Sequence, residues 1–93
     1  LSKIRQSARQ EACQMRLPTC SGDKDTVVFC HINSGGIAQK APDLFGFFGC
    51  YKCHQSYDLG IGGYDRDWLN HQALQAMKRT QEILLEKGLI SFE

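Results

Sequence analysis

Two cysteine pairs bracket the part of this chain with the clearest strand chemistry. Cys13 and Cys20 precede TVVFCHI (26–32), and Cys50 and Cys53 follow LFGFFG (44–49). With 93 residues the chain buries a limited share of its surface, so its core alone leaves a thin margin of stability. Metal staples are a common remedy at this size. Five cysteines is an odd count, which argues against a fully paired disulfide framework. No secretory signal is visible in the sequence, which starts at Leu1, and the expectation is a cytoplasmic protein whose clustered cysteines bind metal. Two pairs at opposite ends of a β-hairpin can converge on one tetrahedral zinc ion, with Zn–S bonds of ~2.3 Å. The second pair has the spacing of a knuckle, in which backbone N–H groups support the thiolates. The first pair, seven positions apart, is looser.

The remaining elements follow from periodicity. Residues 2–12 read as a short polar helix with Ile4, Ala8 and Ala12 spaced for one face. TVVFCHI is rich in β-branched and aromatic residues and reads as a strand, and LFGFFG as its partner. CYKCHQSYDL (50–59) can form a helix that GIGG ends. Asp65 is placed to N-cap a long helix over 65–87, with Gly88 beyond its end. Trp68, Leu69, Ala73, Ala76, Met77, Thr80, Ile83 and Leu84 follow its i, i+3, i+4 steps and form the packing stripe. No repeat or linker divides the chain, so a single domain over residues 1–93 is expected. No apolar run approaches the ~20 residues of a membrane span.

Residues 50–54, C-x-x-C-H, carry two incompatible chemistries. One is c-type haem attachment, with His54 on iron and Met77 or His71 as the distal ligand. The other is half of a zinc site running straight into a functional histidine. Haem leaves Cys13, Cys20 and Cys30 without a role, so zinc is the preferred reading. Cys30 alternates with Val28 and Ile32 on the strand and is expected to pack as a small buried thiol. His31 points to the opposite face, at the end of the strand.

A histidine ending one strand and a second histidine opening the next helix resemble the HNH, or ββα-metal, nucleases. The whole chain is similar to the YbcO-type family of small prophage-encoded nucleases. The residues that carry this likeness are RQEACQMRLPTC (9–20), the histidine of CHI (30–32), APDL (41–44), C-x-x-C-H-x3-D (50–58), MKRTQ (77–81) and EKGLI (86–90). The resemblance implies an α+β fold: a small zinc-stapled ββα-metal (His-Me finger) core with an N-terminal helix and a long C-terminal helix. It implies an endonuclease that hydrolyses DNA phosphodiester bonds, with phage DNA recombination or processing as its setting. His31 would be the general base, and His54 would bind a catalytic Mg(II) or another divalent cation. Four residues apart on a helix, His54 and Asp58 face the same side, and Asp43 is a second candidate ligand. Cys13, Cys20, Cys50 and Cys53 would hold structural zinc. Many HNH enzymes carry Asp or His as a ligand where this chain has Cys30.

Net charge is only +1, but residues 1–17 carry Lys3, Arg5, Arg9 and Arg16 against Glu11, a local sum of +3. Lys3, Arg5, Arg9 and Lys52 are the candidates for DNA phosphates, through contacts that are salt-dependent and largely sequence-blind. DNA is the expected partner, with no membrane and no small-molecule substrate. The alternative reading is a non-catalytic zinc module that binds nucleic acid or protein. It needs the cysteines but has no use for His31 and His54 together.

Overall fold

A computed structural model of the chain describes residues 3–32 and 44–91. It is a small α+β fold. In chain order its elements are α1 (Lys3–Gln6), a 3-10 turn (Lys24–Thr26), β1 (Val28–His31), β2 (Gly46–Gly49), α2 (Tyr51–Leu59) and α3 (Arg66–Glu86). The strands pair antiparallel in the register Val28↔Gly49, Phe29↔Phe48, Cys30↔Phe47 and His31↔Gly46. Strand alternation puts Cys30 and Phe47 on one face and Phe29, His31 and Phe48 on the other. Tyr57 of α2 meets Phe47 edge-on, with ring centroids 5.6 Å apart. That contact shows α2 folding back over the Cys30–Phe47 face. On the opposite face, the rings of Phe29 and Phe48 meet edge-on at 6.1 Å.

The outer edge of β2 is closed by two segments distant in sequence. The Phe48 N–H donates to the Thr80 hydroxyl of α3 at 3.1 Å. The Phe48 carbonyl accepts from the Gln14 N–H at 2.7 Å. Arg79 of α3 then clasps the Gln14 carbonyl, its Nε at 3.0 Å and its Nη2 on the same oxygen. Residues 13–17 thus lie along the sheet edge, and they bury Met15 and Leu17 in the core. Backbone groups that an edge strand would leave open are thereby satisfied.

Both longer helices agree with their sequence signals. Gly60 caps α2 in the left-handed conformation, φ +71°, and the Asp65 carboxylate accepts from the Trp68 N–H to cap α3. Leu69, Ala73, Ala76, Thr80 and Leu84 form the buried stripe of α3. Three expectations are corrected. The N-terminal helix is one turn, not residues 2–12: none of its residues is buried, so little tertiary packing sustains it. The chain beyond it enters turns, with Gln10 at φ +65°. The first strand begins at Val28, because Thr26 is drawn into the 3-10 turn, where its hydroxyl donates to the Asp23 carbonyl at 2.9 Å. Trp68 leaves the stripe and stacks on Tyr64 at the surface, centroids 5.2 Å apart. Among the described residues, no helix is long and apolar enough to cross a membrane.

Candidate functional site

The two cysteine pairs converge. The sulfurs of Cys13, Cys20, Cys50 and Cys53 all lie within 4.8 Å of one another, and Cys20 Sγ is 3.7 Å from Cys50 Sγ. A regular tetrahedron with Zn–S bonds of ~2.3 Å has sulfur–sulfur edges of about 3.8 Å, so the cage needs little contraction to close on a metal. Local structure produces this convergence. Cys50 and Cys53 straddle the start of α2, and Cys13 is held in the segment pinned to β2. Arg16, at φ +54°, bends the chain after Cys13, and Cys20 follows across the Pro18 turn.

Backbone N–H groups point at every one of the four sulfurs. Those of Met15 and Arg16 serve Cys13, and that of Gly22 serves Cys20. Ser21 and Cys53 serve Cys50, and Leu17 serves Cys53. The Cys53 thiol donates to Cys13, whose pKa falls from 9.0 to about 4, and the same shared proton pushes Cys53 upward. Burial raises Cys20. Burial alone would raise Cys50 too, but hydrogen bonds from the Ser21 hydroxyl and from backbone N–H groups turn its shift downward. Four clustered thiols thus divide into groups that favour thiolate and groups that must keep a proton. A divalent cation relieves that conflict by replacing protons with one charge shared among four sulfurs. The donor set fits tetrahedral zinc. Cys50 and Cys53 have no exposed surface and face the other two cysteines, which puts them out of reach of a porphyrin edge.

One residue beyond this cage, the chemistry changes. His54 Nε2 lies 2.7 Å from Asp58 Oδ2, and each side chain is 39% exposed. That is the separation of a direct hydrogen-bonded ion pair across one helical turn, and the same two atoms are the ones a small cation would draw on. No third His, Cys, Asp or Glu joins them among the described residues. Asp43, the other predicted ligand, lies outside those residues. Because α2 folds back with Tyr57 over Phe47, Asp58 returns toward the Gly46–His31 end of the hairpin. Its charge reaches Cys30, whose thiol is pushed up first by burial and then by Asp58. Cys30 is 1% exposed and stays protonated, a packed thiol and not a ligand.

His31 ends β1, half-buried, with its ring edge-on to Phe29 at 5.1 Å. It leaves the sheet on the face opposite α2. Gly46, its partner in register, presents no side chain beside it. A Cβ at Gly46 would meet the Phe29 ring and come within 2.7 Å of the Cys30 carbonyl oxygen, so the end of the hairpin is kept narrow. Of the predicted phosphate contacts, Arg5 and Arg9 line one cavity of about 310 Å³ with Val27, Val28 and Phe29. Lys3 and Lys52 are exposed elsewhere, on α1 and in the first turn of α2. Sequence reasoning missed the contribution of Gln14, Arg79 and Thr80. Each works through the backbone or a long-range hydrogen bond, and no local pattern marks such contacts.

Known proteins resemble the chain over nearly its whole length. A family model described as "Putative nuclease YbcO" matches residues 2–89. "Putative nuclease YbcO" of Escherichia coli (strain K12) is 35% identical over 94 aligned positions, which cover 97% of this chain and 98% of that protein. "Putative nuclease ybcO" of Enterobacteria phage 82 matches with the same identity and coverage. A solved structure titled "Structure of a putative bacteriophage protein from Escherichia coli str. K-12 substr. MG1655" superposes with a TM-score of 0.79 at 37% identity. That match covers 92% of this chain and all of the other. Family model, full-length relatives and fold agree, and the chain belongs to the YbcO family.

Proposed function

We propose that this protein is a metal-dependent endonuclease of the HNH, ββα-metal type that hydrolyses DNA phosphodiester bonds. The observation that carries this reading is the His54–Asp58 pair, 2.7 Å apart and open to solvent, on the helix that directly follows the cysteine cage. A pair serving stability alone has little reason to sit there, since exposed ion pairs contribute ~0–1 kcal/mol. The strand–strand–helix order, with a histidine ending the first strand, supports the same reading. So does the nuclease name carried by the relatives, and the phage source of one of them supports a role in phage DNA recombination or processing.

His31 acts as the general base. Its neutral imidazole takes a proton from water, whose oxygen forms the new bond to phosphorus as the bond to the 3′ oxygen breaks. His54 and Asp58 hold a Mg(II)-class cation, which when bound offsets charge on the phosphate and the departing 3′ oxygen. Asp43 is available as a further ligand. His31 leaves the sheet on the face away from α2, so in this reading the scissile phosphate passes around the end of the hairpin to meet both His31 and the His54–Asp58 pair. Zinc at the four cysteines fixes the start of α2 and thereby the bearing of His54. Lys3, Arg5, Arg9 and Lys52 meet DNA phosphates.

Plasmid nicking tests this proposal, run with EDTA, Mg(II), Mn(II) and Ni(II) beside His31→Ala and His54→Ala. Nicking by the wild type that needs a metal and is abolished in both variants is the expected result. A wild type that never nicks DNA under any of these metals removes the enzyme reading. A second reading, a non-catalytic zinc module, is favoured by one feature: His54 and Asp58 gather no third ligand among the described residues. That module would keep stoichiometric zinc and DNA binding while failing the plasmid assay.

A further inference from the structure

We propose that Tyr51 is a substrate-contacting residue, an inference that rests on the nuclease reading above. Its phenolic hydroxyl donates to a phosphate oxygen of DNA within two nucleotides of the cleaved bond, on the strand that lies along the open flank of α2. Tyr51 differs from the other two tyrosines. Tyr57 is buried against Phe47 and carries the Arg66 guanidinium 5.4 Å from its ring centroid. Tyr64 stacks on Trp68, and its hydroxyl lies 3.0 Å from that of Thr19. Tyr51 is 44% exposed. Among the described residues its ring meets no aromatic group or cation, and its hydroxyl has no hydrogen-bond partner.

Helix geometry puts this side chain beside the candidate cation site. At about 100° per residue, Tyr51, His54, Gln55 and Asp58 fall within one arc of ~100°, opposite the buried Cys53, Ser56 and Tyr57. Tyr51 and Asp58 differ in bearing by only ~20°. His54 and Gln55, three and four positions on, are its surface neighbours. From Tyr51 to the middle of the His54–Asp58 pair the helix rises ~7.5 Å. At ~3.4 Å of axis per nucleotide, that is the span of about two nucleotides.

The chemistry of the flank selects a phosphate. Asp58 is the acid of α2, and it is engaged by His54 at 2.7 Å. Lys52, exposed and one residue beyond Tyr51, borders the same flank. A strand anchored at the cation thus meets a hydroxyl donor and an ammonium group next along the helix, and a hydroxyl is a common donor to backbone phosphates. Tyr51 is also held on a rigid frame. The residue before it, Cys50, is fully buried in the cage, and its own N–H donates to the Thr26 hydroxyl at 3.3 Å. The ring therefore leaves a fixed backbone, as a positioning contact requires.

Fluorescence anisotropy on the zinc-loaded protein, in buffer free of other divalent ions, tests this with a short labelled DNA duplex. Tyr51→Phe keeps the ring and removes the donor. It should weaken binding roughly 10-fold, the loss expected for a hydrogen bond to a charged group. Circular dichroism and Tm should stay at wild-type values, because the hydroxyl touches nothing in the fold. The dependence of log K on log salt should also be unchanged, since a neutral donor releases no counterion, whereas Lys52→Ala should flatten it by ~0.9. In metal-dependent cleavage of the same duplex, Tyr51→Phe should raise KM and leave kcat alone, the mark of a contact made equally before and in the transition state. Wild-type affinity in Tyr51→Phe overturns the inference, even where Tyr51→Ala binds weakly, because the hydroxyl then has no part. Plasmid nicking separates the two proposals. Metal-dependent nicking with wild-type affinity in Tyr51→Phe sinks only the Tyr51 contact. Weakened DNA binding by Tyr51→Phe, with no nicking by the wild type under any metal, sinks only the nuclease reading and leaves Tyr51 a DNA contact of a binding module.

Discussion

Thr80→Val tests how the sheet is anchored to the long helix. The Thr80 hydroxyl is fully buried and accepts from the Phe48 N–H at 3.1 Å. Valine has nearly the same shape and a similar helix propensity, so the change removes the acceptor without opening a cavity. It leaves a buried N–H unpaired, at a cost of about 2 kcal/mol. Exchanging hydroxyl for methyl returns up to ~0.8 kcal/mol of apolar burial. The net loss is about 1 kcal/mol, a fall in Tm of roughly 4–8 °C for a domain of this size. Thr80→Ser keeps the acceptor and loses the methyl group, so its Tm falls for a different reason. Amide hydrogen exchange tells the two apart, because Phe48 should lose protection in the valine variant and keep it in the serine one. A valine variant as stable as the wild type, with the Phe48 amide still protected, would refute the reasoning.

Three further outcomes are expected. Native mass spectrometry should find one zinc per chain, and chelation or Cys13→Ser should abolish cooperative melting, because four convergent thiols stabilise the fold only through the ion they share. Asp58→Asn should leave the unfolding free energy within about 0.5 kcal/mol of wild type, since the pair is solvent-screened. It should nonetheless cut metal-dependent nicking ~10-fold or more, and an equally active variant would remove Asp58 from the site. Gly46→Ala should cost about 1–3 kcal/mol through overpacking, measured by thermal melting, because its new Cβ meets the Phe29 ring and the Cys30 carbonyl.

The elements that were legible in the sequence are those whose signals are local. Asp65 capping α3 and Gly60 ending α2 follow from side-chain chemistry within one turn, and the Cys50–Cys53 knuckle from its spacing. The cysteine cage was legible as two pairs, but the reason it closes was not. The segment after Cys13 turns inward because Gln14 pairs with Phe48 and Arg79, residues 34 and 65 positions away. Nothing in CQMRLP announces those partners. The long N-terminal helix failed for the opposite reason: its 3.6-residue spacing was present, but the chain gives it no surface to bury. Trp68 fits the stripe by periodicity and leaves it for Tyr64, because a flat partner outside the core serves a large ring as well. At the candidate site, His54 and Asp58 were legible because i, i+4 geometry is fixed by the helix itself. The facing of His31 followed from strand alternation, but its position relative to α2 depends on which face the helix covers, and only Tyr57 on Phe47 decides that.

The offset between the two sites is a single residue, and the helix makes that step decisive. Successive residues are turned by about 100°, so Cys53 and Tyr57 point inward, to the cage and to Phe47, while His54 and Asp58 fall on the flank. Both facts appear in burial: Cys53 and Tyr57 are buried, and their neighbours are about 39% exposed. A metal ion held by Cys53 and the other three cysteines would therefore set the rotation of α2 about its own axis, and that rotation would aim His54. An error of even 20° at Cys53 would carry His54 and Asp58 together, keeping their mutual distance while changing their bearing on the hairpin end. A structural ion is well suited to this duty in a chain of 93 residues, because side-chain packing on a nine-residue helix resists rotation only weakly. Loss of zinc should thus disable the flank even where the helix itself survives.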